Sequence, residues 1–220
     1  MSLQLREGLS YCRCGDRIIL LDLKADRYFG LGPTLEPLFI RWAASPDAAA
    51  RGNDLEPLLA LNLLIEVSGG ASPRSAATAS PITRDIATGA IAGPRDVAQA
   101  LAMELIVRFW LRARPLETII RRLGTAARPV RIVPNGVESR AERVATAFER
   151  TALVLGAYDR CLSRALAAMI ICRRREVDAT LVFGVRINPF GAHCWVQRRD
   201  IVIVGDYEQA RLFTPILTVP

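Results

Sequence analysis

Apolar and polar positions change period several times along the chain, and the changes divide it. Between residues 9 and 31, β-branched, aromatic and aliphatic residues fall in short runs bounded by Gly and Asp. Ser10–Cys14, Arg17–Leu23 and Arg27–Leu31 are separated by the turns Gly15-Asp16 and Lys24-Ala25-Asp26, the signature of a three-stranded antiparallel meander. The period then turns helical. Leu35, Leu38, Phe39 and Trp42 share one face after Gly32-Pro33-Thr34, and Asp54 opens a second helix with Leu55, Leu58, Leu59 and Leu63. Leu64–Val67 returns as a short strand. Residues 1–67 are therefore expected to form a small winged-helix-like module, a three-stranded meander plus helices.

From Ser68 to Pro94 the chain is rich in Gly, Ala, Ser, Thr and Pro and poor in bulky apolar residues, which predicts a flexible linker over 68–94. Residues 95–220 resume strong periodicity. Helices are predicted over Asp96–Arg112, Leu116–Leu123 after Pro115, and Glu138–Ala157. Another opens at Cys161 with Asp159 as N-cap, buries Leu162, Leu166, Met169 and Ile170, and ends on Arg173-Arg174-Arg175. Strands follow over Ala179–Arg186, Ala192–Arg198 and Ile201–Tyr207. The fold class expected is α+β, in two modules.

Composition narrows the function. The longest apolar runs are too short to span a membrane, and the N-terminus lacks a basic region followed by an apolar one. Five cysteines without framework spacing point to a reducing cytoplasm, and Cys12-Arg13-Cys14 is too tight for a metal knuckle, so no metal is expected. Residues 1–93 carry a net charge of −1 and residues 94–220 a net of +8, almost all of it arginine. A DNA-binding winged helix needs clustered basic residues, so the near-neutral first module argues against a nucleic-acid partner. The basic second half can attract an acidic peptide or simply be a solvated surface.

The chemistry-bearing residues are Cys161, His193 and Asp206. His193 is the only histidine in the chain. A thiol in the first turn of a helix meets unpaired amides and the positive dipole end, which favour the thiolate. In the strand after it, His193, Trp195 and Gln197 share one face, while Cys194 and Val196 point to the other. A two-residue hairpin loop centred on Arg199-Asp200 would set His193 opposite Asp206, able to orient the imidazole while its other nitrogen faces Cys161. Nucleophile, base and orienting carboxylate are the parts of cysteine-based acyl chemistry.

These residues also carry a resemblance. Cys161-Leu162-Ser163-Arg164-Ala165-Leu166, Phe183-Gly184-Val185-Arg186, Pro189-Phe190, Ala192-His193-Cys194-Trp195-Val196 and the later Asp206 resemble the transglutaminase-like cysteine protease of lasso-peptide biosynthesis. Ile19–Leu23 and Arg27–Leu31 resemble the peptide-recognition element of such pathways. The resemblance implies a papain/transglutaminase-like domain over 95–220 with Cys161, His193 and Asp206 as its catalytic set. It also implies a fused module that binds the leader of a lasso-peptide precursor as an added strand. Tyr28, Phe29, Leu55, Leu58 and Leu59 are the positions expected at that groove, or else in the module's own core. No cofactor is implied, and an asparagine-synthetase-like, ATP-using cyclase is the implied partner. Cys194 and Gln197 depart from the residues usual at those places. Acyl transfer to an amine and a non-catalytic peptide-binding scaffold stand as the alternatives.

Overall fold

The computed structural model describes residues 2–44, 53–67, 79–125, 136–155 and 160–220. The first part contains β1 (Ser2–Leu5), β2 (Leu9–Cys14), β3 (Arg17–Asp22) and β4 (Arg27–Gly30). They are followed by α1 (Leu35–Ala44), a 3-10 turn at Asn53–Leu55, α2 (Glu56–Ala60) and β5 (Leu64–Val67). β2, β3 and β4 form the expected meander, with Leu20 opposite both Tyr11 and Phe29. β5 does not join it. It pairs instead with β1, a strand that the sequence pattern did not announce.

The meander is covered on both faces. Ile18 and Leu20 pack with Phe39, Trp42, Leu55 and Leu58 in the core of the first part. Cys12, Cys14, Ile19, Leu21 and Leu23 belong to a second core shared with the rest of the chain. Strand alternation sends neighbouring residues to opposite faces, so the unbroken apolar run of β3 needs a partner on each. The Cys14 thiol lies 3.8 Å from the Val185 carbonyl, and the Thr214 hydroxyl is 3.6 Å from the same sulfur.

The second part contains β6 (Arg84–Asp85), α3 (Pro94–Ala113), α4 (Leu116–Thr125), α5 (Val137–Leu155) and α6 (Cys161–Arg174). β7 (Thr180–Arg186), β8 (Gly191–Arg198), β9 (Ile201–Val204), a helical turn α7 (Tyr207–Ala210) and β10 (Thr214–Val219) complete it. The sheet order is β10-β7-β8-β9-β6, antiparallel except that β6 runs parallel to β9. Helices cover one face, where Leu166, Met169, Phe183, Cys194 and Val196 are buried together. Val182, Trp195, Val202 and Ala210 form a smaller cluster on the other, against Phe213 and Tyr207.

The expected linker reaches into this fold. Residues 68–78 lie outside the described residues, but Thr83 and Ile86 donate backbone N–H groups to Asp200 and Val202, and Ser80 accepts from Gln197 Nε2 at 2.9 Å. The segment is held here by its backbone and by its few apolar side chains, with Ile86 and Ala92 in the shared core and Ile82 against the other face of the sheet. Among the described residues no helix is long and apolar enough to cross a membrane.

Candidate functional site

Cys161 is the first residue of α6, and Arg160, the residue before the helix, makes no side-chain capping bond. Asp159, expected as N-cap, lies outside the described residues. The first-turn position therefore leaves the α6 amides pointing past the thiol. Cys161 is half-buried, whereas Cys12, Cys172 and Cys194 are buried, and all five cysteines are free.

The thiol meets two neighbours on β8. The Cys194 side chain, the His193 side chain and the Cys194 backbone N–H all favour its ionised form. The Cys194 side chain is the largest influence and, with His193, brings the Cys161 pKa down to about 4 against the opposing effect of burial. Burial pushes the Cys12 and Cys172 thiols up to about 12. It also raises Cys194 well above an ordinary thiol, and the adjacent Cys161 adds to that rise. One ionised sulfur thus stands beside one protonated sulfur.

This corrects the expectation for Cys194. Its side chain does point away from the His193–Trp195 face, but α6 packs on the face it points to, and the nucleophile comes with α6. Parity along the strand was right; the location of the thiol decided the outcome.

His193 is held by rings. Its imidazole stacks on Trp195, with centroids 6.1 Å apart and planes at 21°, and lies 5.3 Å from Phe213. Trp195 is pinned in turn, since its Nε1–H donates to Gln197 Oε1 at 2.8 Å while Gln197 Nε2 donates to Ser80 and Arg199 carbonyls. Gly184, opposite His193 on β7, makes room: a Cβ there would come within 2.8 Å of Trp195 and 2.9 Å of Phe213.

The expected pairing of His193 with Asp206 is not made. The hairpin loop at Arg199-Asp200 is as expected, and Arg198 pairs Ile201 and Gln197 pairs Val202. A bulge then shifts the register so that Val196 pairs Val204, and β9 ends there. Gly205 turns at φ 146°, and Asp206 becomes the N-cap of α7, its Oδ1 accepting from Glu208 N–H at 2.9 Å. Nearby Asp85 accepts from Tyr207 N–H; burial, and then the charges of Asp206 and Glu208, raise its pKa. His193 Nε2 is buried and has no hydrogen-bond partner among the described residues.

Of the positions expected at a peptide groove, Leu55 and Leu58 are 2% and 0% exposed and belong to the first core. Phe29 and Leu59 pack against that core from its margin. Tyr28 faces the other way. It packs against the shared core near Cys194 and Cys161, with its ring 5.9 Å from that of Phe190. Burial is the first cause that pushes its hydroxyl well above the usual phenol range, and the neighbouring Cys194, Cys161 and Asp26 add to it. Among the described residues no group of three or more His, Cys, Asp or Glu side chains is arranged to hold a metal.

A thiolate at a helix start can attack a carbonyl, and the chain's one imidazole beside it can return a proton to the leaving group. Comparison with known families agrees with that chemistry: the model of the family described as transglutaminase-like superfamily matches residues 103–218, from within α3 to within β10. Comparison with curated proteins and with solved structures finds no match.

Proposed function

The chain belongs to the transglutaminase-like superfamily, a family of cysteine-based acyl chemistry, and from that premise we propose that it is a leader peptidase acting on a lasso-peptide precursor in the cytoplasm. The observation that carries the enzymatic reading is the Cys161 thiol at the start of α6, its ionised form favoured by the neighbouring Cys194 and His193.

In the proposed reaction the Cys161 thiolate adds to the carbonyl carbon at the leader–core junction. Free amides of the first α6 turn stabilise the oxyanion. Protonated His193 gives its proton to the departing core amine, leaving the leader as a thioester on Cys161. His193 then takes a proton from water as the water attacks, and the leader departs with a new carboxylate. The freed α-amine is the group on which an asparagine-synthetase-like cyclase would act. Asp206 is assigned to His193 Nε2: it would exchange the Glu208 amide for that buried, unpaired nitrogen, whose desolvation favours a partner. No cofactor enters these steps.

The recognition role rests on β4, an edge strand of the meander. An open edge offers unpaired backbone groups to an extended peptide, and Tyr28 links this strand to the thiol's surroundings. The Leu55 and Leu58 side chains support that platform from inside.

The test is incubation of the purified full chain with a lasso-peptide precursor. Separate leader and core products, lost with Cys161→Ala and with His193→Ala, are expected; cleavage that survives Cys161→Ala would sink the mechanism. A product joined to an added amine instead of carrying a new carboxylate would assign the same site to amine acyl transfer. Deleting residues 1–67 is not a clean test of capture, because Cys12, Ile19 and Leu21 complete the shared core.

A further inference from the structure

We infer that Tyr28 and Phe190 together form an apolar subsite beside Cys161, so that a residue of the first module binds the substrate side chain next to the reacting carbonyl. The inference rests on the peptidase reading and deepens it, naming where specificity is read.

Four observations meet there. Strand alternation on β4 sends Phe29 into the first core and Tyr28 toward the catalytic part. The Tyr28 ring meets Phe190, in the connection between β7 and β8, at 5.9 Å with planes tilted by 58°. Phe190 is 56% exposed, an uncommon position for a large aromatic ring, and Tyr28 is the aromatic ring it meets among the described residues. Tyr28 packs on the shared core close enough to Cys161 and Cys194 for both to influence its hydroxyl. The ring pair therefore presents apolar surface next to the thiol, and closing a substrate side chain against it removes that surface from water.

The two rings come from different parts of the chain, one on an edge strand and one on a loop of the catalytic sheet. A peptide added along β4 would pass its alternate side chains on the Tyr28 side of the strand. Capture and chemistry are then coupled through one residue rather than through a tether. The class of side chain selected is apolar, because the charged neighbour on β4, Arg27, lies over the Phe29 ring at 5.4 Å and is engaged elsewhere.

The test uses two alkylating probes on the full chain, iodoacetamide and N-benzyl iodoacetamide, with modification at Cys161 quantified by peptide mass. The ratio of benzyl to unsubstituted rate is divided by the ratio measured for glutathione. The expected value is about tenfold or more, the discrimination an apolar pocket gives to an added ring. Phe190→Ala and Tyr28→Ala should return it to within about twofold of glutathione, while Tyr28→Phe keeps it. Phe190 is exposed, so its variant keeps the test alive should Tyr28→Ala unfold, which thermal melting shows. A wild-type ratio equal to that of glutathione, or a high ratio unmoved by Phe190→Ala, overturns the subsite and leaves the reactive Cys161 standing. Cys161 resistant to both probes overturns the peptidase reading, and the subsite with it.

Discussion

The ionisation of Cys161 has a signature that differs from that of an ordinary thiol in shape as well as size. The neighbouring Cys194 and His193 bring its pKa to about 4 instead of 9. At pH 6 an ordinary thiol of pKa 9 is about 0.1% thiolate while Cys161 is almost wholly ionised, a factor of about 1,000. Nucleophilicity falls as pKa falls, with a Brønsted slope of about 0.4–0.5, and five pH units therefore cost about 100- to 300-fold in intrinsic rate. The balance leaves Cys161 about 3- to 10-fold faster than an ordinary thiol at pH 6, and about 10- to 30-fold slower at pH 8. Its own rate should change less than about twofold between pH 5.5 and 8, where an ordinary thiol gains about 300-fold. The assay is iodoacetamide alkylation across that range, quantified at the Cys161 peptide with glutathione alongside. His193→Ala removes one stabilising partner and should move the Cys161 profile to higher pH. A wild-type rate that rises tenfold per pH unit through this range would refute the assignment of a stabilised thiolate.

Cys194→Ala should raise the Cys161 pKa by about one to two pH units, the worth of a hydrogen bond to a charged group, and Cys194→Ser should restore much of it through its hydroxyl; alkylation profiles decide. Asp206→Asn keeps an N-cap of equal quality on α7, so stability should hold within about 1 kcal/mol. If the carboxylate serves His193 as proposed, turnover of the precursor should still fall by about 10²- to 10⁴-fold, and unchanged turnover would reduce the set to Cys161 and His193. Gly184→Ala drives a methyl into the Trp195 and Phe213 rings that hold His193. It should cost about 1–3 kcal/mol in chemical denaturation and lower turnover more than it weakens substrate binding.

Much of this was legible in the residues, and the misses have identifiable causes. The meander, the long helices and the Cys161 helix follow from periodicity and turn residues, and the hairpin at Arg199-Asp200 was found where expected. The Asp206 register failed because a single bulge between Val196 and Gln197 displaces every later partner by one residue. No hydrophobic pattern marks that bulge in advance, since Ile201–Val204 is apolar throughout. β6 went unseen because two residues, Arg84 and Asp85, join the sheet by backbone pairing alone. β10 carries Pro215, a residue that demotes a strand signal. The covering of the meander on both faces was readable: Ile18-Ile19-Leu20-Leu21 is apolar at every position, where a one-sided sheet would alternate. That signal would have placed Tyr28 against the catalytic part, and the rule that a helix covers one sheet face would have brought Cys194 back to the thiol.

Central to the account is that Cys161 forms a thioester that water resolves. The most direct measurement is the mass of the products when the full chain processes a lasso-peptide precursor in water enriched in ¹⁸O. The account predicts two peptides, with one ¹⁸O atom in the new C-terminal carboxylate of the leader and an unlabelled core amine, and no products with Cys161→Ala. An uncleaved precursor, or cleavage that persists in Cys161→Ala, would contradict it.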